Sequence, residues 1–258
     1  MSERAAEGQR VLVTAGAAGI GRAIVEALLA AGSRVHLCDV DATALAEVGK
    51  SLPQVSCTRA DVADEADVDR LFDAAGTALG GLDVLVNNAG VAGPTAAVED
   101  IDPSEWRRCI EVDLTGQFLC VRRAVPLLKA AGGGAVINLS SAAGRFGYAF
   151  RTPYAAAKWG VVGLTQSLAK ELGPFNISVN AILPGIVAGP RIDGVIRARA
   201  AQLGVSYAEM ERQYLEKVSL RRMVTPQEVA AMVAFLVSPL GRAVSGQSLG
   251  VCGNVEAL

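Results

Sequence analysis

Short apolar segments alternate with helical patterns along this 258-residue chain, which strongly limits the folds it can adopt. The predicted strands are 11–14, 34–38, 54–59, 84–86, 135–139, 178–181 and 248–251. Residues 20–31 and 63–79 have apolar residues at helical spacing, and a glycine lies at or just beyond the end of each. Alternating strands and helices pair in parallel through right-handed crossovers. The pattern predicts a single α/β domain over residues 1–258, a three-layer α/β/α fold with a doubly wound parallel sheet.

Composition restricts the class of partner. The formal net charge is -2 with both signs interspersed, so neither nucleic acid nor an anionic membrane is expected as a partner. The first ten residues are polar, and no apolar run approaches the ~18 residues that a membrane span needs. Five cysteines without CxxC spacing are typical of free thiols in a reducing compartment, and His36 is the only histidine. We therefore expect a cytoplasmic protein that acts on a small molecule, without a metal site or Ser-His-Asp catalysis.

A glycine-rich turn, 14–21, follows the first predicted strand and opens the first helix. Glycines let such a turn approach a pyrophosphate, which the N–H groups at the helix N-terminus then bind. The residues predicted to contact a dinucleotide here are Gly16, Ala18, Gly19, Ile20 and Gly21. A tight turn with nothing bound is the alternative.

Asp39 ends the second predicted strand, 18 residues after Gly21. A carboxylate at this position accepts hydrogen bonds from the ribose hydroxyls of an adenosine. It would also repel a 2′-phosphate, and no arginine or lysine occupies Ala15, Ala17 or Val40 to bind one. The sequence therefore favours NAD over NADP. The alternative is that Asp39 merely caps the following helix.

Tyr154 and Lys158 are four residues apart in a helical pattern, and Ser141 lies thirteen residues before the tyrosine. Side chains at this spacing share one face of a helix, so the phenol and the ammonium point into the same space. A nearby cation stabilises a phenolate, which predicts a tyrosine that exchanges protons near neutral pH. Ser141 adds a hydroxyl donor for the same substrate oxygen. Taken singly, each hydroxyl group is also explained as a cap of a strand or helix.

Residues 190–224 interrupt the alternation with two charged helical patterns. An insertion there lies beyond the carboxyl ends of the strands, where open α/β sheets bind ligands. Long insertions in compact domains usually carry function. We predict that 190–224 is a helical lid over a substrate site; a surface or subunit-contact helix pair is the alternative.

These motifs resemble those of the classical short-chain dehydrogenases/reductases over essentially the whole chain. In chain order, the resemblance rests on the turn at 14–21, the Asn-Asn-Ala-Gly run at 87–90, Ser141, Tyr154-x-x-x-Lys158, and Pro184-Gly185. It implies a Rossmann-like sheet of seven strands, a nicotinamide cofactor and a homotetramer or homodimer. It also implies interconversion of a secondary alcohol and a ketone, the alcohol being a polyol, a hydroxy acid or a cyclic alcohol. A 3-oxoacyl-thioester reductase and a non-catalytic nucleotide-binding member are the alternatives.

The resemblance assigns roles to the matched residues. Tyr154 would take the alcohol proton during oxidation, Lys158 would assist it and bind the nicotinamide ribose, and Ser141 would bind the substrate oxygen. Further cofactor contacts are implied for Asp61, Val62, Asn88, Ala89, Gly90, Pro184, Gly185 and Val187.

Three places depart from the family pattern, one of them the segment 251–254, which reads Val-Cys-Gly-Asn where Val-Asp-Gly-Gly is common. Asp113 replaces an asparagine that holds a water linking the catalytic lysine to solvent, and Gly189 replaces a threonine that contacts the nicotinamide. Asp113 still accepts hydrogen bonds but loses two N–H donors and brings a negative charge when ionised. That charge would favour a protonated Lys158 and oppose a phenolate at Tyr154, so the effect on activity is left open.

The substrate pocket is expected to include the segment between Ser141 and Tyr154. Arg151, three residues before the tyrosine, is the main candidate for binding a substrate carboxylate, because a guanidinium does so in bidentate geometry. Further candidate substrate residues are Arg145, Arg191 and Pro94.

Overall fold

The alternation of strands and helices is present in a computed structural model that describes residues 8–255. The strands are β1 (Arg10–Thr14), β2 (Arg34–Asp39), β3 (Ser56–Arg59), β4 (Val84–Asn87), β5 (Gly134–Leu139), β6 (Ile177–Pro184) and β7 (Ser248–Val251). The helices are α1 (Gly19–Ala30), α2 (Ala42–Ser51), α3 (Glu65–Leu79), α4 (Pro103–Ile110), α5 (Gly116–Ala130), α6 (Thr152–Leu172), α7 (Pro190–Leu203), α8 (Tyr207–Glu216) and α9 (Pro226–Val237). The strands pair in parallel in the order β3-β2-β1-β4-β5-β6-β7, which confirms the predicted Rossmann-like sheet of seven strands.

The sheet is buried on both faces, as continuous apolar strands in a parallel sheet require. On β1, Val11 and Val13 lie in the hydrophobic layer formed with α1, α2 and α9. Leu12 points to the opposite layer, which contains α3 and α5. Because the strands are parallel, their carboxyl ends lie at the same edge of the sheet.

The chain leaves β1 towards β2 on one side and enters β4 on the other side of β1. A crevice forms at the carboxyl ends of the strands where the order reverses in this way, and open α/β sheets bind ligands there. The glycine-rich turn follows β1, and Asn88 follows β4, so both sequence motifs lie at this crevice.

Two strand boundaries differ from the sequence prediction by more than one residue. Strand β6 continues to Pro184 rather than ending at 181, because Ile182 and Leu183 are buried and the strand pairs with β7 up to Val251. Strand β3 begins at Ser56 rather than at 54, since Val55 closes a turn with its N–H bonded to Leu52 O. The extension of β6 thus comes from a pairing partner far away in the sequence, and the later start of β3 from a local turn.

Helices α7 and α8 form a small core of their own outside the two layers of the sheet. Its buried residues include Ile186, Ile196, Met210 and Tyr214. Ser206 begins α8 by accepting a hydrogen bond from Glu209 N. Within residues 8–255, none of the helices is both long and apolar enough to cross a membrane.

His36 lies inside β2, and its ring nitrogens contact Ser56 Oγ at 2.8 Å and Thr58 Oγ1 at 3.0 Å. Burial lowers the pKa of the imidazole to about 4, because the charged form loses its hydration. His36 is therefore a hydrogen-bonded strand residue outside the crevice.

Candidate active site

A cavity of about 490 Å³ opens at the carboxyl edge of the sheet. It is lined by residues of the glycine-rich turn, of the segments at the carboxyl ends of β2, β4, β5 and β6, of the first turns of α6, and of helix α7. The sequence-predicted residues that line it are Ala18, Gly19, Ile20, Gly21, Asp39, Asn88, Gly90, Ser141, Arg151, Tyr154, Lys158, Pro184, Gly185, Val187 and Arg191. Those that lie outside its lining are Gly16, Asp61, Val62, Ala89, Pro94, Asp113 and Arg145.

The glycine-rich turn is fitted tightly against its neighbours. A Cβ on Gly21 would lie 2.1 Å from Ala15 O and 2.6 Å from Asn88 Nδ2, and one on Gly16 would lie 2.8 Å from Leu37 Cβ. Gly16 therefore supports the turn rather than the cavity. No side chain caps α1 at Ala18, so the first N–H groups of this helix could bind an anion.

Asp39 lies at the cavity edge and steadies the turn as well. Its carboxylate accepts hydrogen bonds from Ala17 N and Asp41 N, both at 3.2 Å. The cap of α2 is Asp41, which accepts from Thr43 N and Ala44 N. The alternative that Asp39 is only a helix cap is therefore wrong.

Asn88 joins the ends of β1 and β4 beneath the turn. Its side chain donates to Thr14 O at 3.0 Å and to Ala15 O at 2.9 Å. Thr14 Oγ1 in turn accepts from the backbone N–H groups of Asn88 and Ala89. This network explains how Ala89 supports the cavity without lining it.

Asp61 and Val62 lie beyond the cavity lining. The Asp61 carboxylate pairs with Arg108 at 2.7 Å and accepts from Ala63 N at 3.0 Å. Val62 is buried, and a Cβ on Gly116 would lie 2.8 Å from one of its methyl groups. In this structure both residues therefore stabilise the segment after β3. Val62 also stabilises the contact between that segment and α5.

Tyr154 and Lys158 share one face of α6, as their spacing predicted. The Lys158 Nζ lies 5.6 Å from the Tyr154 ring centroid and donates to Leu139 O at 3.1 Å. Lys158 is 3% exposed, and Ser140 Oγ donates to its carbonyl at 2.8 Å, which ties α6 to the end of β5. The lysine is thus held in place beside the phenol.

Ser141 follows β5 in extended conformation and begins the 3₁₀ turn Ala142–Gly144. Its Oγ accepts from Ala143 N at 3.1 Å, so the hydroxyl does act as a cap. The cap uses only a lone pair, and the hydroxyl proton is left to donate into the cavity that Ser141 lines.

Arg151 is a buried cation in the cavity wall. It is 2% exposed, and its guanidinium lies 5.2 Å from the Tyr148 ring centroid and 4.9 Å from that of Tyr154. One nitrogen donates to Ala92 O, while Nε has no partner. Among residues 8–255, no carboxylate forms an ion pair with it. A buried guanidinium without a counter-anion carries a desolvation cost that an anionic ligand would offset.

The other proposed substrate residues occupy different surroundings. Arg191 lines the cavity and donates to Gly90 O at 3.1 Å. Arg145 is exposed, with its guanidinium 5.7 Å from the Phe146 ring centroid, and does not reach the cavity. Pro94 is absent from the lining too, so the structure does not bring these two residues to the site.

The sequence did not single out Tyr148 or Tyr214, which line the cavity on the side of α8. Their hydroxyl oxygens lie 2.7 Å apart, and burial raises the pKa of the Tyr148 phenol well above its usual value. The two residues are 66 positions apart in the chain, and no spacing rule joins them. Only the packing of α8 reveals that they meet.

Comparisons with known proteins agree with this architecture. Residues 15–254 match the family model described as Enoyl-(Acyl carrier protein) reductase. The chain is 38% identical to the trans-4-hydroxycyclohexanecarboxylate dehydrogenase of Sinomonas cyclohexanicum, over 100% of this chain and 96% of that protein. It is also 38% identical to the cis-4-hydroxycyclohexanecarboxylate dehydrogenase of the same organism, over 97% of this chain and 98% of the relative.

A solved structure of an actinorhodin polyketide ketoreductase variant with NADPH superposes with a TM-score of 0.92 at 33% identity. The superposition covers 96% of this chain and 97% of that one. Fold, motif order and full-length similarity all agree, and the chain belongs to the classical short-chain dehydrogenase/reductase family of oxidoreductases.

Proposed function

We propose that this protein is an NAD-dependent dehydrogenase that interconverts a secondary alcohol and a ketone with Ser141, Tyr154 and Lys158. The observation that carries the proposal is that these three side chains line the same cavity as the glycine-rich turn and Asp39. Hydroxyl, phenol and ammonium groups converging beside a dinucleotide site suit proton transfer to and from a substrate oxygen.

The residues present fit a nicotinamide dinucleotide. The uncapped N-terminus of α1 would hold the pyrophosphate, and Asp39 would hold the adenosine ribose. Lys158 would hold the nicotinamide ribose, and the backbone from Pro184 to Val187 would border the nicotinamide. When bound, the nicotinamide would supply the hydride transfer that interconverts the alcohol and the ketone.

The remaining steps belong to the side chains of the chain. Ser141 would donate its free hydroxyl proton to the substrate oxygen and fix its position. Tyr154 would accept the alcohol proton at its phenol oxygen during oxidation and return it during reduction. Lys158, held by Leu139 O, would stabilise the phenolate form of Tyr154.

The proposal is tested by assaying secondary alcohols and ketones with NAD(H) and NADP(H). The panel contains sugar alcohols, hydroxy acids, cyclic alcohols and a 3-oxoacyl thioester. We expect turnover of hydroxy acids or cyclic alcohols with NAD. Binding of NADH without turnover of any member would instead support a non-catalytic nucleotide-binding protein, and preferred reduction of the thioester would support an acyl-thioester reductase.

The cofactor preference depends on Asp39. We expect the wild type to prefer NAD over NADP by at least about tenfold in kcat/KM. A tenfold preference corresponds to a free-energy difference of ~1.4 kcal/mol between the reactions with the two cofactors. Asp39→Asn keeps an acceptor for Ala17 N but removes the charge that repels a 2′-phosphate, so the preference should fall by roughly tenfold.

The matched control is Asp41→Asn, two residues away, because asparagine caps a helix as well as aspartate does. It should leave the NAD preference unchanged. Equal efficiency of the wild type with both cofactors would rule out the assignment of Asp39.

We further propose that the substrate is a hydroxy acid, in which Arg151 binds the carboxylate and the hydroxyl lies at Tyr154. The buried, unpaired Nε of Arg151 and its position beside the Tyr154 ring support this class. The names of two relatives, dehydrogenases of trans- and cis-4-hydroxycyclohexanecarboxylate, also specify a carboxylate on the substrate.

Arg151→Met should lower kcat/KM for 4-hydroxycyclohexanecarboxylate by about 10- to 100-fold, since a hydrogen bond to a charged group is worth ~1.5–3 kcal/mol. Cyclohexanol, which lacks the carboxylate, should be oxidised as well as by the wild type. Arg145→Met is the control, because Arg145 lies outside the cavity. An equal loss on both substrates would eliminate the carboxylate role.

Three further expectations complete the proposal. Helices α7 and α8 within 190–224 are proposed to form the lid, since Ile192, Val195 and Tyr214 line the cavity.

The five free cysteines favour a cytoplasmic location. A homotetramer or homodimer is retained as the proposed assembly, which sedimentation analysis would test.

A further inference from the structure

We propose that Asp113 is a positioning residue that holds Lys158 by a direct ion pair and, by balancing its charge, keeps Tyr154 protonated to higher pH than a neutral residue would. The inference rests on the proposed role of Tyr154 as acid and base. The inference states the direction in which the Asp113 carboxylate shifts proton loss from Tyr154. A tyrosine that stays protonated near neutral pH is suited to donating a proton during ketone reduction.

Asp113 lies in a π-helical segment, Glu111–Thr115, inserted between α4 and α5. Such segments widen a helix locally and are frequent at functional sites. Asp113 is fully buried, and its Oδ1 lies 3.4 Å from Lys158 Nζ. The same oxygen accepts from Val91 N at 3.0 Å. The carboxylate is therefore fixed against the ammonium.

Gly90 permits this approach. A Cβ at that position would lie 2.4 Å from Asp113 Oδ1 and 3.3 Å from Lys158 Nζ. The ion pair thus depends on the absence of a side chain at the end of the Asn-Asn-Ala-Gly motif. Its atoms pack against the cavity wall that Gly90 forms.

Cys109 supplies the second contact of the carboxylate, with Sγ donating to Asp113 Oδ2 at 3.4 Å. Burial, followed by the charge of Asp113, raises the pKa of this thiol to about 12. The thiol therefore stays protonated at neutral pH and acts as an uncharged donor. It adds no second negative charge to the cluster.

The charged and titratable groups around the pair come from several elements. Lys158, Tyr154 and Arg151 lie on or at the start of α6, Cys109 lies on α4, and Arg191 on α7 reaches Gly90 O. Asp113 is the only carboxylate among the described residues that pairs with Lys158.

The charge balance sets the direction of the effect. A buried ammonium with a neutral neighbour would act on the phenol with its full charge, whereas the adjacent carboxylate offsets part of that field. Removing the negative charge while keeping the shape should therefore favour the phenolate. We expect Tyr154 to lose its proton at lower pH in Asp113→Asn than in the wild type.

The first test uses the protein without substrate. The ¹³C chemical shift of the Tyr154 ring carbon bearing the hydroxyl is followed against pH in the wild type and in Asp113→Asn. The chain has four tyrosines, so the resonance is identified by its loss in Tyr154→Phe. A lower midpoint in Asp113→Asn supports the proposal, and an unchanged or higher midpoint overturns it.

Asp102→Asn is the matched control, because Asp102 is an exposed cap of α4 and asparagine serves equally well there. It should leave the Tyr154 midpoint unchanged. If Asp113→Asn does not fold, as judged by circular dichroism, Asp113→Ser removes the same charge and is subjected to the same criterion.

The second test uses activity. The pH at which alcohol oxidation reaches half of its maximal kcat/KM should fall in Asp113→Asn by the same amount as the NMR midpoint. Ketone reduction by the wild type should persist to a higher pH than ketone reduction by Asp113→Asn. A loss of activity at all pH values with no shift in either midpoint would show a merely structural role. If no substrate is turned over, the proposed function fails, yet the NMR test still decides the role of Asp113.

Discussion

Tyr154→Phe should lower kcat/KM by about 10³-fold or more in both directions while leaving the fold intact, since positioned proton transfer contributes roughly 10²–10⁴-fold. The substitution removes one hydroxyl and keeps the ring between Lys158 and Arg151. Because the glycine-rich turn and Asp39 are untouched, NADH should bind with a Kd within about threefold of the wild-type value, a difference of ~0.7 kcal/mol. Steady-state kinetics and NADH fluorescence titration measure the two quantities.

Tyr207→Phe is the matched control for this prediction. Tyr207 donates its hydroxyl to Asp193 at 3.0 Å and does not line the cavity, so its loss should barely affect turnover. A kcat/KM of Tyr154→Phe within about tenfold of the wild-type value would mean that the activation barrier rises by less than ~1.4 kcal/mol. Such a result would show that Tyr154 does not take part in the proton transfer. A parallel loss of NADH binding would point to a structural effect instead.

Gly21→Ala should destabilise the protein by about 2–3 kcal/mol, the upper part of the range for overpacked sites. The new Cβ would lie 2.1 Å from Ala15 O and 2.6 Å from Asn88 Nδ2. Neither atom is the end of a free side chain, because Asn88 Nδ2 donates to both Thr14 O and Ala15 O. The turn must therefore shift, and NADH affinity should fall by more than about tenfold, or ~1.4 kcal/mol.

Urea unfolding and NADH titration test this prediction together. Gly76→Ala in α3 is the matched control, since no atom outside its own helix lies within 4 Å of the point that the new methyl group would occupy. Alanine there should raise the free energy of unfolding by roughly 0.5–1 kcal/mol, because glycine loses more backbone entropy in a helix. Normal stability and normal NADH affinity in Gly21→Ala would contradict the packing of the turn.

Much of the site follows from local spacing. The four-residue separation of Tyr154 and Lys158 places both on one face wherever a helix forms, and the structure has that helix at Thr152–Leu172. The turn at Gly21 and the acid at Asp39 are likewise set by a strand followed by a helix. These relations depend only on the geometry of single elements.

Other features depend on groups that are remote in the chain. The length of β6 was underestimated, because pairing with β7 extends it to Pro184. Arg145 and Arg151 lie in the same segment between β5 and α6, and the sequence offers both as substrate residues. In the structure Arg145 is exposed, whereas Arg151 is buried against Tyr154. The difference follows from how the loop before α6 packs, which composition and spacing do not specify.

The sequence by itself determined the α/β class, the parallel sheet, the crevice and the residue types that face it. These follow from the periodicity of apolar residues and from motifs within one or two elements. Only the tertiary structure decided that Asp113 contacts Lys158 directly and that the buried Arg151 has an Nε without a partner. The physical reason is that ion pairing and desolvation depend on distances of a few ångströms between side chains from different elements, and only the folded packing sets those distances.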